Sequence, residues 1–498
     1  MLGDMKIKIN RNLRDLFYFI PLLSTIILYG CIVDIPSTRP DGPSVVIYGN
    51  VINNDTEGPI PNAVVSDGFS TTLTDNNGEY RFKTFPGASH VFVSVPEQYE
   101  IPINKEGMPQ IFAEIDTSKD LVKVNFRLTP LKNGKEENFT LVAITDIHVH
   151  NPLLLERLEK ESLAEMKKLF GGQDNVYGLT LGDLVSDNPE FLVNIKQAFI
   201  STNIPFFHTI GNHDFSGNIY EPIEASKEFV SNFGPLNFSF NRGDVHLIVM
   251  NNVYNYGVTA SRGFSEEQIK WLKSDLNHVP KDKMLIISVH APILPNSSME
   301  RRLDFLDALS DFNEIHIISG DWHYNRNIIN TDLNIFEHMT ASAIGMTPSI
   351  IINKCGAPIG YGVYEISGDR MKNWYYKSIN YDKDHQITML APHTFGDKDG
   401  YVIANVWNAD KDWKIEMIED GVNRGEMEQF TDIAPEVLMI IKSNYVREND
   451  KMYHKTENLF RMKPINIEAE IKIKVTDRFG NIYMQSIPLS NLQTMVRK

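Results

Sequence analysis

The sequence predicts a layered α/β body with a β-rich stretch on each side of it, and three observations point there. Between about residues 137 and 350, five short apolar runs, each ending in a polar cluster, alternate with helix-period segments. From Val45 to about residue 131 the chain is a series of short alternating segments separated by turn residues. Near the far end, apolar and polar residues alternate strictly from Ile465 to Val475. Short apolar runs bounded by turn residues suit strands covered on both faces, and strands alternating with helices imply layered α/β architecture. In such sheets ligands gather beyond the carboxyl ends of the strands, so the five clusters are expected to converge.

At the N-terminus, Lys6, Lys8, Arg11 and Arg14 precede an apolar stretch from Leu16 to Gly30, which meets Cys31. A basic head, an apolar middle and a small residue before the cysteine describe a secretory signal peptide. Leu28-Tyr-Gly-Cys31 resembles a bacterial lipoprotein box, although Tyr29 is bulkier than the usual residue there. The resemblance implies that residues 1–31 are a signal segment and that Cys31 is lipidated. The protein is then expected in the bacterial cell envelope, held to a membrane by a lipid anchor and either periplasmic or surface-exposed. Residues 32–43, with Pro36 and Pro43, read as a linker.

Residues 44–131 are expected to form a β-sandwich. Val45-Val-Ile-Tyr-Gly-Asn50 opens it, Thr74-Asp-Asn-Asn-Gly-Glu-Tyr80 places a turn between two strands, and Val91–Val95 and Val122–Phe126 continue the series. Asp75-Asn-Asn-Gly78 lacks the EF-hand ligand ladder and reads as a plain turn. The central domain spans 137–394. Its strands are expected at Leu141–Ile144, Val176–Leu179, Ile204–Phe207, Met284–Ile287 and Ile315–Ile318. A helix is expected over Leu153–Phe170, where Leu155, Leu158 and Leu163 recur at mixed steps. Another follows Ser265-Glu-Glu-Gln268, which has capping-box spacing. Gly360–Ile366 either closes the central sheet or opens the last domain, a small β-rich one over 395–498. There the alternation from Ile465 turns at Asp477-Arg-Phe-Gly-Asn481 into Ile482–Met484, an antiparallel hairpin.

The clusters carry the chemistry. They are Asp146-Ile-His148, Gly182-Asp183, Gly211-Asn-His-Asp214, His290 and Gly320-Asp-Trp-His323. Carboxylate, imidazole and amide groups in this mixture bind hard or borderline divalent metals. A lone His or Asp would mean little; five clusters, each after a strand, argue for a binuclear metallohydrolase. Two ions roughly 3.5–4 Å apart clamp the attacking and leaving oxygens of an in-line displacement and supply a hydroxide nucleophile near neutral pH.

These residues resemble the calcineurin-like metallophosphoesterase family, whose pattern is DxH, GD, GNHD, a lone His after a strand, and GHxH. The resemblance covers roughly residues 137 to 350. It implies that Asp146, His148 and His323 bind a first metal, that Asn212 and His290 bind a second, and that Asp183 bridges them. It also makes His213 the catalytic histidine, with Asp214 orienting its ring. One position departs from the pattern, because Asp321 stands where the first His of GHxH would be. Asp321 is expected to ligate the second metal as a shorter, anionic group, which favours Mn, Fe or Mg over Zn there. Two divalent cations against three carboxylates leave a net charge of +1, where an imidazole at 321 would leave +2. The competing expectation is that Asp321 fails to reach the metal. Arg326, close behind this cluster, is a candidate for bidentate contact with a phosphate. His150 is expected at a surface or substrate rim, and His208, His246 and His338 in the core. The N-terminal stretch resembles the transthyretin-like sandwich found before some secreted phosphoesterase domains, and the whole order resembles envelope phosphoesterases with dedicated N- and C-terminal domains.

At 498 residues with 42% hydrophobic content, the chain suffices for two or three domains. A net charge of −16 argues against binding a nucleic-acid backbone, which normally needs a basic face. Cys31 and Cys355 are the two cysteines, so stability does not rest on disulfides if Cys31 is lipidated. The function expected is hydrolysis of a phosphodiester or phosphomonoester outside the cytoplasm, on a small-molecule or envelope-derived substrate, with two divalent ions. The other class in play is an envelope binding or adhesion protein with a degenerate metal site.

Overall fold

Two sheets divide the buried strands of the central body. In this computed structural model, residues 44–488 are described apart from 86, 218, 220, 256–259, 347–349, 393–399 and 443–453. The signal segment, Cys31 and the 32–43 linker lie outside the described residues. The first sheet has the order Phe206–Thr209, Val176–Leu181, Asn138–Ile144, Gly360–Ser367, Arg370–Ser378. Its first three strands run parallel. The second has the order Asn237–Arg242, Val245–Met250, Met284–Ser288, Ile315–Ser319, Ile335–Met339, Arg326–Asn330, with the middle four parallel. Val176–Leu181, Met284–Ser288 and Ile315–Ser319 are buried at every position. Strands covered on both faces have no side to leave polar, which is why they appear in the sequence as unbroken apolar runs.

Gly360–Ser367, whose place the sequence left open, pairs antiparallel with Asn138–Ile144 and so closes the central sheet, Gly362 lying opposite Ala143. The two sheets share one core and are tied where their strands end. Thr209 Oγ1 and Ser288 Oγ lie 2.7 Å apart, and His290 Nδ1 donates to the Leu181 carbonyl at 2.6 Å. Every strand that carries a polar cluster therefore ends at one level.

The helices add two points. Ser265 caps Glu266–Leu276 reciprocally: its hydroxyl accepts from the Gln268 amide, and the Gln268 side chain accepts from the Ser265 amide. The expected single helix over Leu153–Phe170 is interrupted. Pro152–Leu158 and Ala164–Phe170 are α-helical, and Glu159–Leu163 between them forms a π turn. Five residues separate Leu158 from Leu163, too many for one α-helical face. The wider turn brings both onto the buried side.

Before the body, Val45–Asn53 pairs with Glu79–Thr84, Leu121–Lys123 and Phe126–Leu128, and a second sheet joins Thr71–Leu73, Val64–Ser66, His90–Ser94 and Phe112–Glu114. Its core is continuous with that of the body. Phe92 meets Trp271 edge-on at 6.5 Å, and Trp271 Nε1 donates to Ser66 Oγ at 3.0 Å.

The C-terminal part has a separate core between two four-stranded sheets. Ile387–Leu390 already belongs to it, so this unit begins before the expected boundary at 395. Glu470–Thr476 and Ile482–Pro488 form the expected hairpin, Thr476 opposite Ile482. The strand is shorter than the alternation suggested: Ile465 and Ile467 are exposed, and burial starts at Ala469. Among the described residues no helix is long and apolar enough to cross a membrane.

Candidate metal centre

Asp183 stands in the middle of the converging clusters. Its Oδ2 lies 3.8 Å from His148 Nε2 and 3.3 Å from His290 Nε2, while Oδ1 accepts the His213 amide at 2.9 Å. On one side, Asp146 Oδ1 is 3.2 Å from His323 Nε2 and 3.8 Å from His148 Nε2, and those two imidazole nitrogens are 3.1 Å apart. On the other side are His290 and buried Asn212, which begins the short turn Asn212–Asp214. The donor atoms of Asp146, His148 and His323 form one group, and those of Asp146, Asp183 and His290 another, each within 4.8 Å of one another.

The imidazoles are prepared as ligands by what holds their far nitrogens. Nδ1 of His290 donates to the Leu181 carbonyl, Nδ1 of His323 faces the Gly345 carbonyl at 3.4 Å, and Nδ1 of His148 faces Ser186 Oγ at 3.2 Å. With a proton fixed at Nδ1, Nε2 is the nitrogen left to face the carboxylates and to offer its lone pair to an ion between them, the arrangement that orients a metal-binding histidine. Asp146 Oδ1 and His290 Nε2 are buried and make no hydrogen bond. Orphaned acceptors in a carboxylate and imidazole cluster are the atoms a divalent ion satisfies, so the residues present fit such ions.

Electrostatics agrees. Burial, aided by the neighbouring His323 and His213 rings, outweighs Asp183 and Asp146 and pushes the His148 imidazole down to about 4, the neutral form a ligand needs. Burial also disfavours charge on His290, but Asp183, Asp321 and Asp146 outweigh it and raise this imidazole to about 10. Burial likewise opposes charge on Asp183, yet His290 and His148 hold its carboxyl well below the usual range. The pocket is thus a concentration of buried negative charge that calls for cations.

The backbone is bent to make this convergence. Asp146, His148, Asp183, Asp321 and His323 adopt left-handed conformations, with φ of +52°, +44°, +53°, +65° and +59°. Each costs on the order of 1–3 kcal/mol and marks a place where surrounding structure dictates the geometry. Asp146-Ile-His148 and Asp321-Trp-His323 repeat the same pattern, one at the end of a strand in each sheet. Two glycines permit the close approach. A Cβ on Gly211 would lie 2.1 Å from the Asp183 amide, and one on Gly320 would lie 2.0 Å from Thr145 Oγ1.

Two expected roles, those of Asp214 and Arg326, are corrected, and Asp321 has a partner the sequence did not show. Asp214 does not orient His213. Its buried carboxylate accepts the Gly211 and Val185 amides at 2.8 and 3.0 Å, pinning two of the loops together. The carboxylate beside His213 Nδ1 is Asp187, at 3.0 Å. Asp321 is at the site, with Oδ1 3.7 Å from His290 Nε2, but both of its oxygens accept from Arg262 at 2.7 Å. Arg326 does not point into the pocket; its guanidinium pairs with Glu457 of the C-terminal unit at 2.8 Å.

His150 is exposed, with Nδ1 3.0 Å from the His148 carbonyl. His208, His246 and His338 are buried and partnered by Thr180, Asp275 and Asn327 respectively. Asp187, Arg262 and Lys354 escaped the sequence reading. Asp187 lies four residues after Asp183, a spacing that could have flagged it. Lys354 sits near the centre, where Asp146 and Asp321 act on its ammonium against the effect of burial. Arg262 offered no local signal.

Comparison with known proteins places matches along most of the chain. Residues 139–325 match the family model described as calcineurin-like phosphoesterase, 46–131 the model for the N terminal of calcineurin-like phosphoesterase, and 345–483 the model for its C terminal. A curated relative is acid phosphatase type 7 of Mus musculus, 24% identical over 178 residues, or 34% of this chain and 39% of that protein. The chain therefore spans well under half the length of that relative. Among solved structures, purple acid phosphatase PPD1 from yellow lupin (Lupinus luteus) seeds aligns over 64% of this chain and 67% of its own, with a TM-score of 0.36 and 11% identity. The 5'-nucleotidase of Candida albicans aligns over 50% and 53%, with a TM-score of 0.33 and 15% identity.

Proposed function

Since the chain belongs to the calcineurin-like phosphoesterase family, we propose that it is a binuclear-metal phosphoesterase that hydrolyses a phosphodiester or phosphomonoester outside the cytoplasm. The observation that carries this reading is the central position of Asp183, whose Oδ2 faces His148 on one side and His290 on the other. Asp146, His148, His323 and Asp183 would hold one divalent ion; Asp183, Asn212 and His290 would hold the second. Manganese, iron, magnesium and zinc all suit these donors. Such ions, when bound, lower the pKa of water and polarise phosphoryl oxygens.

The chain's own groups do the rest. The His213 amide fixes Asp183 Oδ1, which leaves Oδ2 turned toward the two donor groups. Asp187 holds His213 Nδ1, so the proton to be moved is the one on Nε2. Burial disfavours the charged ring, but Asp183 and Asp187 overcome it and raise the His213 pKa. A His213 that stays protonated nearer neutrality suits a general acid delivering a proton to a departing alkoxide, a contribution of typically about 10²–10⁴-fold. Trp322 and Tyr324, with rings 5.8 Å apart, are candidates for the rim that meets the leaving group.

The N-terminal sequence supports a secreted lipoprotein anchored through Cys31, and an envelope-derived or small-molecule phosphoester is the fitting substrate. The sheets of 44–131 and the C-terminal unit are then the dedicated flanking domains, the first transthyretin-like. Hydrolysis of p-nitrophenyl phosphate and bis-p-nitrophenyl phosphate with each of the four metals tests the activity, alongside metal content of the purified protein. Asp183→Asn should lose bound metal and hydrolysis together. A wild-type protein that is metal-free and inactive with all four ions would sink the reading. For the anchor, Cys31→Ala should move the protein from the membrane to the soluble fraction.

A further inference from the structure

We propose that Arg262 binds the substrate's phosphoryl group on the side of the second ion, and that Asp321 is its positioning residue and not a metal ligand. This rests on the phosphoesterase reading above. The observation is the fork between the two side chains: Arg262 Nε donates to Asp321 Oδ2 and Nη2 to Oδ1, both at 2.7 Å. A two-point contact fixes the plane of the guanidinium as well as its position. Asp321 is 6% exposed and Arg262 32%, so the carboxylate anchors the pair from inside while the cation is partly open to solvent. Among the described residues, one edge of the guanidinium is engaged, by Asp321. Nη1 has no protein partner among the described residues.

Arg262 is held from its backbone too. It lies opposite Val253 in the hairpin Val253–Asn255 with Ala260–Arg262, and its carbonyl accepts the Glu300 amide at 3.1 Å. The anchor is next to the metal centre, because Asp321 Oδ1 is 3.7 Å from His290 Nε2, which in turn faces Asp183. The guanidinium therefore borders the half of the centre formed by Asp183, Asn212 and His290.

Charge supplies the second support. An aspartate at 321 takes one positive charge from a two-ion site, and Arg262 gives it back. With both residues counted, the net charge with two divalent ions returns to +2, the value an imidazole at 321 would leave. The Asp–Arg pair thus restores the site's attraction for an anion and adds planar donors that match phosphoryl oxygens, as a histidine could not.

Elemental analysis and calorimetric titration with inorganic phosphate, both on Mn²⁺-loaded protein, test this with Arg262→Gln, Arg262→Lys and Asp321→Asn beside wild type. All four should hold two Mn²⁺ per chain. Phosphate should bind about 10–100-fold more weakly to Arg262→Gln, the effect of losing charge-assisted hydrogen bonds. Arg262→Lys, which keeps charge but not the fork, should recover part of that loss. Asp321→Asn should raise KM for p-nitrophenyl phosphate more than it lowers kcat. One Mn²⁺ in Asp321→Asn would make Asp321 a ligand and overturn the proposal. Wild-type phosphate affinity in both Arg262 variants would overturn it equally. Failure of the phosphoesterase reading looks different, since wild type itself would then take up neither Mn²⁺ nor phosphate.

Discussion

Gly211→Ala should disable the centre without replacing a ligand. The backbone at Gly211 has φ of −107°, which alanine adopts freely, so the substitution tests steric approach alone. Its Cβ would fall 2.1 Å from the Asp183 amide, 2.2 Å from Asp183 Oδ1 and 2.9 Å from Asp183 Cα, where ordinary contact begins near 3.4 Å. The obstructing atoms are mostly backbone and cannot rotate away. The two loops must separate by roughly 1 Å, and a misplacement of that size costs about 10²-fold in rate. The strain should also remove about 1–3 kcal/mol of stability, as overpacking does. The assay is kcat with a p-nitrophenyl ester, together with metal content and a thermal melt. A variant with kcat within twofold of wild type and full metal occupancy would refute the claim that contact between these loops sets the position of Asp183.

Further outcomes follow from the same geometry. Asp187→Asn, by loosening His213, should lower kcat about 10–100-fold for esters with alkyl leaving groups and far less for p-nitrophenyl esters; equal losses on both would remove the orienting role. Arg326→Ala should leave kcat/KM within about threefold and stability within about 1 kcal/mol, because its pair with Glu457 is partly exposed. Mn²⁺ added to chelator-stripped protein at a hundred times Kd should stabilise it by about 2.7 kcal/mol, read as a rise in Tm; an unchanged Tm would count against ions at this centre. Burial, with a smaller contribution from Lys196, pushes His208 down to about 3, against about 6.5 unfolded. The unfolded chain then takes up the proton first, so stability present above pH 6.5 is lost as pH falls toward 3. His208→Gln should flatten that acid limb in pH-dependent melts, and an unaltered slope would contradict it.

The strand ends were legible because buried parallel strands leave an unmistakable trace, an unbroken apolar run that stops at a polar cluster. That trace runs directly into Asp146, His148, Asp183, Asn212, His213, His290 and His323. Partnerships between side chains left no such trace. Asp214 follows His213 directly, yet adjacent residues at a turn point apart, and Asp187 from another loop is the partner of the ring. Arg262 meets Asp321 across 59 residues and from a hairpin with no periodic signature. Arg326 was drawn away by Glu457, whose own position depends on how the C-terminal unit docks. The interrupted helix was half legible: the five-residue step from Leu158 to Leu163 was visible, but its accommodation by a π turn was not.

The seam between the leading sheets and the body has a practical consequence for anyone trimming this protein. A shortened chain beginning at Asn138 would uncover the indole of Trp271 and leave its N–H unmatched, turning an interior wall into a sticky surface. Such a fragment should precipitate or recruit chaperones even with every catalytic side chain present. Expression of the hydrolytic part thus calls for the upstream residues as a built-in floor.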